Sequence, residues 1–337
     1  MSPKRRFLAG ILGGRVDRPP VGSVTSVATV AQMEMTDASL PQAHLDPEKM
    51  AALAAGAHEI LGYDAIMPYF SVQAEAGALG CDVDWGDRVN LPVERSHPWQ
   101  SPEDVRMPGE FLERPSTRAV IGAIRILHRE YGRHVAIVGK VMGPWTLAYH
   151  VHGILPFLKE TILDPDKVRG FLDRLKEISV RFALAQIEAG ADVLCLADHA
   201  TGDLVSPAMY RDFLLPVHQE ITERIGSPMV LHICGDTLDR MGHICESGFD
   251  AFHFDSKVDA RAAVAEVDGR ISLVGNINNP ETLLHGTPQQ VYKEACYAIA
   301  AGVQVIGPEC AIPLETPLEN LLAVVRASSA TRVEGQC

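Results

Sequence analysis

The sequence predicts an α/β fold, a (β/α)8 TIM barrel. Three observations predict it. Short apolar, β-branched runs alternate with longer amphipathic segments. There are eight such runs in 337 residues. The residues one step past the runs are repeatedly polar or metal-ligating types. Alternation favours a parallel sheet with right-handed crossovers. Eight units in a chain of this length favour closure of that sheet.

Taken in order, residues 1–20 are basic and then apolar. Glycines break this stretch too early for a secretory signal, and it reads as a short helix leading into the barrel. The strands are expected at 19–25, 64–69, 134–141, 192–197, 228–233, 250–254, 271–275 and 303–307. Segment 47–61 opens on Pro47 and repeats Ala and Leu at helical spacing. In 117–131, TRAVIGAIRILHREY, an apolar residue recurs every three or four positions. Helices are also expected at 166–189, ending at Gly190, at 207–225, at 288–301, ending at Gly302, and at 317–327. The interval 71–116 is long for a connection and is expected to form lid or entrance structure. Residues 1–337 are expected to form a single barrel domain with an N-terminal helical extension, and no internal sequence repeat is evident.

Composition narrows the function. A hydrophobic share of 47% and a charged share of 22% suit a soluble globular protein with a large core. The formal charge of −13 disfavours nucleic acid. No apolar run reaches the roughly 18 residues that span a bilayer, and no basic run suggests a membrane surface. Seven dispersed cysteines do not resemble a disulfide framework, so a reduced, cytoplasmic setting is expected.

In a barrel, chemistry gathers where the strands end at their carboxyl side. The run 228–233 ends in Leu231-His232-Ile233-Cys234-Gly235-Asp236. In an extended segment His232 and Cys234 point the same way. Cys310 follows the last run and belongs to the same rim. One imidazole and two thiolates with a fourth position open is the pattern of a catalytic zinc. The same residues also suit a packed core, since a free cysteine is often a small buried hydrophobe; spacing alone leaves both open. Cys81, Cys195, Cys245, Cys296 and Cys337 are read as structural or incidental.

Several stretches together carry a resemblance: Arg18-Pro19-Pro20-Val21, Glu75 with Gly80-Cys81, Gly143-Pro144-Trp145-Thr146, Ala197-Asp198 with Asp203-Leu204-Val205-Ser206-Pro207, His232 to Asp236, Gly275-Asn276-Ile277, and Cys310 before Thr316-Pro317-Leu318-Glu319-Asn320. On these the chain resembles the uroporphyrinogen decarboxylase superfamily, and more closely its cobamide-dependent methyltransferase branch (methylcobamide:coenzyme M methyltransferase-like). The resemblance implies that His232, Cys234 and Cys310 bind Zn2+. It implies methyl transfer between a corrinoid (cobalamin), carried by a partner protein, and a small molecule, with a thiol as acceptor. Demethylation of an O- or N-methylated substrate is an alternative direction. A metal-free decarboxylase-like lyase is a further alternative, disfavoured because the decarboxylase's arginine-rich amino-terminal motif is missing.

Other rim residues are weaker candidates. Asp198 and Glu75 are catalytic candidates. Asp198 would bind substrate or orient a ligand, or else cap the following helix. Glu75 would be a fourth ligand displaced by substrate, or else a solvated carboxylate. Asn276 and Asp236 are candidates for substrate binding, and Asp236 and Glu309 for supporting the metal ligands. Asn278 suits a substrate contact or the turn that starts a helix. Tyr149, His150 and His152 are candidate pocket lining.

Overall fold

The computed structural model describes residues 1–334; Cys337 lies outside them. Seven parallel strands form one curled sheet: β1 (Ala65–Ile66), β4 (Ala136–Met142), β5 (Val193–Ala197), β6 (Met229–Ile233), β7 (Ala251–Phe254), β8 (Ser272–Ile277) and β9 (Val305–Pro308), in that spatial order. The remaining two, β2 (Val83–Asp84) and β3 (Val93–Glu94), pair as an antiparallel hairpin inside the 71–116 interval.

The eighth place is held by residues 19–25, expected as a full strand. They make a single parallel bridge, Val21 to Ile306. Ile306 N donates to Pro20 O at 2.9 Å and Gly22 N to Ile306 O at 3.1 Å, while Asp64 N donates to Val21 O at 2.7 Å on the other side. Pro19 and Pro20 have no N–H, so no ladder can extend from their end. The contact is close: a Cβ on Gly307 would lie 2.1 Å from Gly22 O. Strand β1 is shorter than the expected 64–69 for a similar reason, since Pro68 ends its pairing.

The strands begin with a device that recurs, contrary to the expectation of no repeat. Gly62-Tyr63-Asp64, Gly190-Ala191-Asp192, Gly248-Phe249-Asp250 and Gly302-Val303-Gln304 each lead into β1, β5, β7 and β9. The four glycines all take positive φ, which turns the chain out of the preceding helix at no Cβ cost. The acid or amide then accepts a backbone N–H of the neighbouring strand or bridge: Asp64 from Val21, Asp192 from Ile137, Asp250 from Met229 and Gln304 from Leu273, at 2.7–3.0 Å. Only the glycine is common to all four units and the aspartate to three, which is why the repeat escapes a reading by eye.

Helices at Pro47–Glu59, Pro115–Tyr131, Pro165–Ala189 and Pro288–Ala301 follow expectation, each with proline in its first turn. The expected helix 207–225 is broken into Pro207–Met209, a π turn at Tyr210–Leu214 and Leu215–Ile225. Pro216 lacks the N–H that a continuous helix would use. Helices Pro144–His152 and Ile154–Leu163 were not anticipated; their runs are apolar nearly all round, so no amphipathic stripe marks them. Gly153, at φ 97°, separates them.

Candidate metal centre

The register of the parallel strands sets the site. Met142, Ala197, His232 and His253 lie on one level across β4 to β7. Side chains of one level share a face, so His232 points into the barrel mouth. Cys234 follows two residues on. Cys310 stands just past the end of β9. The three donors converge: His232 Nε2 is 3.1 Å from Cys234 Sγ, the two sulfurs are 3.2 Å apart, and Cys310 Sγ is 3.4 Å from His232 Nε2.

The surroundings hold this triangle in place. His232 Nδ1 faces His253 O at 3.3 Å, which turns Nε2 toward the sulfurs. The His253 ring lies 4.5 Å from the His232 ring and is itself tied to Pro308 O at 2.8 Å. Gly235 N donates to Asp255 Oδ2 at 2.8 Å, fixing the turn after Cys234. Glu309 accepts Ser256 N at 2.9 Å and Asn279 N at 2.7 Å, so the residue beside Cys310 clamps three strand ends together. Cys310 is held well below the ordinary thiol range by its contact with Cys234 and by adjacent His232; Cys234 is pushed up by the same contact.

The donor set fits zinc. A tetrahedral ion with Zn–S near 2.3 Å and Zn–N near 2.0 Å spaces its donors about 3.5–3.8 Å apart. The observed sides need open by only a few tenths of an ångström.

The triangle forms part of the wall of a cavity of about 300 Å³. Met142, Tyr149, His150, Ile154 and His199 contribute to the other walls, and Val72 and Glu94 come from the 71–116 interval. Lys140 also lines it and was missed in the sequence. The signal was present: AIVGKVM carries one charge in an otherwise uncharged strand, two residues before Met142 and so on its inward face.

The other candidates are placed as follows. Asp198 lines the cavity and is buried. Its carboxylate accepts Thr146 N at 2.7 Å and Thr146 Oγ1 at 3.1 Å, and meets His218 Nε2 at 3.0 Å. It therefore caps helix Pro144–His152, an earlier helix than the one expected. Gly143 makes room, since a Cβ there would fall 2.2 Å from the carboxylate carbon. Glu75 is fully buried rather than solvated. It accepts Met142 N at 2.8 Å and the Tyr69 hydroxyl, which commits it away from the triangle. Asn276 donates to Val258 O at 2.9 Å, and exposed Asp236 accepts Leu238 N at 3.2 Å; both stand outside the cavity wall. Asn278 caps the turn at Asn279–Leu284 through Glu281 N at 2.7 Å. Tyr149 and His150 line the cavity, whereas His152 is bonded to Trp99 O and Glu160.

The family model "Uroporphyrinogen decarboxylase (URO-D)" matches residues 2–330. The chain belongs to the uroporphyrinogen decarboxylase family. Within this family it is 36% identical to the "methylated-thiol–coenzyme M methyltransferase" of Methanosarcina mazei, covering 99% of this chain and 90% of that one. It is also 36% identical to the "methylcobamide:CoM methyltransferase MtaA" of Methanosarcina barkeri, covering 96% of each. Among solved structures, a "methyltransferase from Methanosarcina mazei" superposes with a TM-score of 0.95 at 34% identity, covering 98% of this chain and 99% of that one. Among the described residues no helix is long and apolar enough to cross a membrane.

Proposed function

We propose that this chain is a corrinoid-dependent methyltransferase that moves a methyl group from a methylated corrinoid protein to a small thiol. The observation that carries this reading is the convergence of one imidazole nitrogen and two sulfurs, no pair more than 3.4 Å apart, on a cavity at the barrel mouth. His232, Cys234 and Cys310 would hold a zinc ion there. Such an ion supplies a Lewis-acid site at which a thiol loses its proton near neutral pH while its sulfur stays nucleophilic. In the overall reaction the cobalt–carbon bond breaks, a sulfur–carbon bond forms, cobalt keeps the electron pair as Co(I), and the thiol proton is released. The chain's own residues do the rest. His253 sets the orientation of His232. Asp198 holds Thr146, whose Oγ1 accepts His199 N at 2.7 Å, and so fixes two cavity-wall residues. Tyr149, Ile154 and Met142 give the cavity an apolar lining that limits water.

The corrinoid would arrive on a separate protein. Ile154 lines the cavity and is 42% exposed, and the adjacent Leu155 is 71% exposed, an apolar step at the mouth on which such a partner would dock transiently. The name of the Methanosarcina mazei relative includes a methylated thiol, which supports the reverse direction, thiol demethylation, as a second activity of the same pocket.

The test is a methyl-transfer assay with methylcobalamin as donor and a panel of thiols, followed by absorbance. Thiol-dependent loss of methylcobalamin that disappears in Cys234→Ser and Cys310→Ser is the expected result. No transfer to any thiol by zinc-loaded protein, with methylcobalamin or with a methylated corrinoid protein, would refute it.

A further inference from the structure

Methyl transfer to a thiol must dispose of one proton, and few groups on the cavity wall are free to take it. Glu94 is engaged by Gln73 Nε2 at 3.1 Å. Lys140 is buried and donates its ammonium to Ser71 O at 3.1 Å. Tyr149 is buried and accepts Trp145 Nε1 at 2.6 Å. The Asp198 carboxylate is taken by Thr146 and His218. His150 has an unpartnered Nδ1, but it is buried away from water. His199 differs from all of these. It lines the cavity, it is exposed to solvent, and its ring makes no hydrogen bond among the described residues.

Its position is set by the sheet. Ala197 on β5 is the register partner of His232 on β6, and neighbouring strands stand about 4.8 Å apart. His199 and Cys234 each follow two residues beyond that pair, so the imidazole leaves its strand end beside the sulfur triangle. Thr146 Oγ1 accepts His199 N at 2.7 Å, and the Tyr149 ring meets the imidazole edge-on at 6.1 Å. Desolvation at the wall and nearby His232 hold its pKa below 6.5. Near pH 7 the ring is therefore neutral and able to accept a proton. The other groups facing it are Asp198 beside it, Tyr149 and His150 on helix Pro144–His152, and Cys310 past β9.

We propose that His199 accepts the proton of the incoming thiol and passes it to solvent at the barrel mouth. The inference rests on the thiol reading above and adds the route of the proton. The S–H bond breaks, the electron pair stays on the sulfur, and a ring nitrogen of His199 gains the proton. That nitrogen then releases it to water.

Stopped-flow mixing of the zinc-loaded protein with thiol, in weak buffer with a pH indicator, tests this without turnover. The probes are 2-mercaptoethanol, 3-mercaptopropionate and 2-mercaptoethanesulfonate. At saturating thiol, His199→Gln should keep its zinc and its thiol affinity but release the proton about 10²-fold more slowly, the lower range for a lost general base. The unaltered protein should slow as pH falls through the His199 pKa, because a protonated ring accepts nothing; the variant should lack that limb. Added imidazole should restore the rate of His199→Ala in proportion to its concentration, which a merely structural role would not allow. An unchanged rate and acid limb in His199→Gln would overturn the proposal. So would a loss that imidazole fails to restore, or a loss confined to Lys140→Met. The methylcobalamin assay separates the two levels. Thiol turnover and proton release indifferent to His199 sink this inference and leave the thiol reading standing. Binding and turnover of no thiol at all sink both.

Discussion

The two ends of the barrel treat charge in opposite ways. At the amino ends of the strands every buried charge finds an internal partner: Asp64 accepts from Arg6, Arg18 and Val21 N, and Asp192 accepts from Lys4 and Ile137 N. At the carboxyl ends, two thiols and an imidazole crowd together, an ammonium lacks a carboxylate and a histidine nitrogen lacks any partner. The charges of the first arrangement are closed among themselves, although Tyr63 Oη beside them has no hydrogen-bond partner. A buried polar group left unmatched is expensive, and one of them, His150 Nδ1, stands on the cavity wall. The lower rim is built for stability and the mouth for binding.

The comparison breaks if removing a mouth residue behaves like removing a lower-rim residue. The largest effect is expected for Cys234→Ser or Cys310→Ser, with methyl-transfer rates lower by about 10³-fold or more and a circular dichroism spectrum unchanged. Next comes Asp64→Ala. It leaves Arg18 without a carboxylate and Arg6 with Asp17 alone, and should cost about 3–5 kcal/mol of stability by denaturant melting, while the folded fraction keeps its kcat. Asp198→Asn tests the boundary between the two. The residue supports cavity-wall groups without touching the triangle, and a rate loss of about 10–100-fold with zinc retained is expected.

The smallest effect is a pH dependence of stability carried by His44. Burial lowers the His44 pKa from 6.5 to about 4. The unfolded chain therefore binds a proton that the folded one refuses between those values. This contribution to stability is full above pH 6.5 and is lost as pH falls toward 4, at no more than about 1.4 kcal/mol per pH unit. Equilibrium melts of His44→Gln should show a shallower decline across that window; an unchanged slope would remove His44 from the account.

Much of this was legible beforehand, for reasons particular residues illustrate. His232, Cys234 and Cys310 could be placed on one rim because barrel topology converts the end of each strand into a position at the mouth. What sequence could not supply was the partner of each polar side chain. Glu75 and Asp198 both read as rim acids. Only packing shows that Glu75 is committed to Met142 and Tyr69, and that Asp198 caps a helix that precedes it in the chain. Asn276, near the end of β8, and Asp236, in the loop after β6, have the carboxyl-end location expected, but their side chains turn elsewhere. Lys140 was overlooked because a lysine within a strand is ordinarily read as an outward-facing residue. The bridge at Val21 was overcounted as a strand because two prolines silence its hydrogen bonding while leaving its apolar pattern intact.

The most direct test is the metal content of the purified protein, measured by elemental analysis and repeated with cobalt(II) in place of zinc. The account predicts one ion per chain, a thiolate-to-cobalt absorption band, and loss of both in Cys310→Ser. A protein that stays metal-free in excess zinc, with both thiols freely alkylated at the same rate with and without the ion, would contradict it.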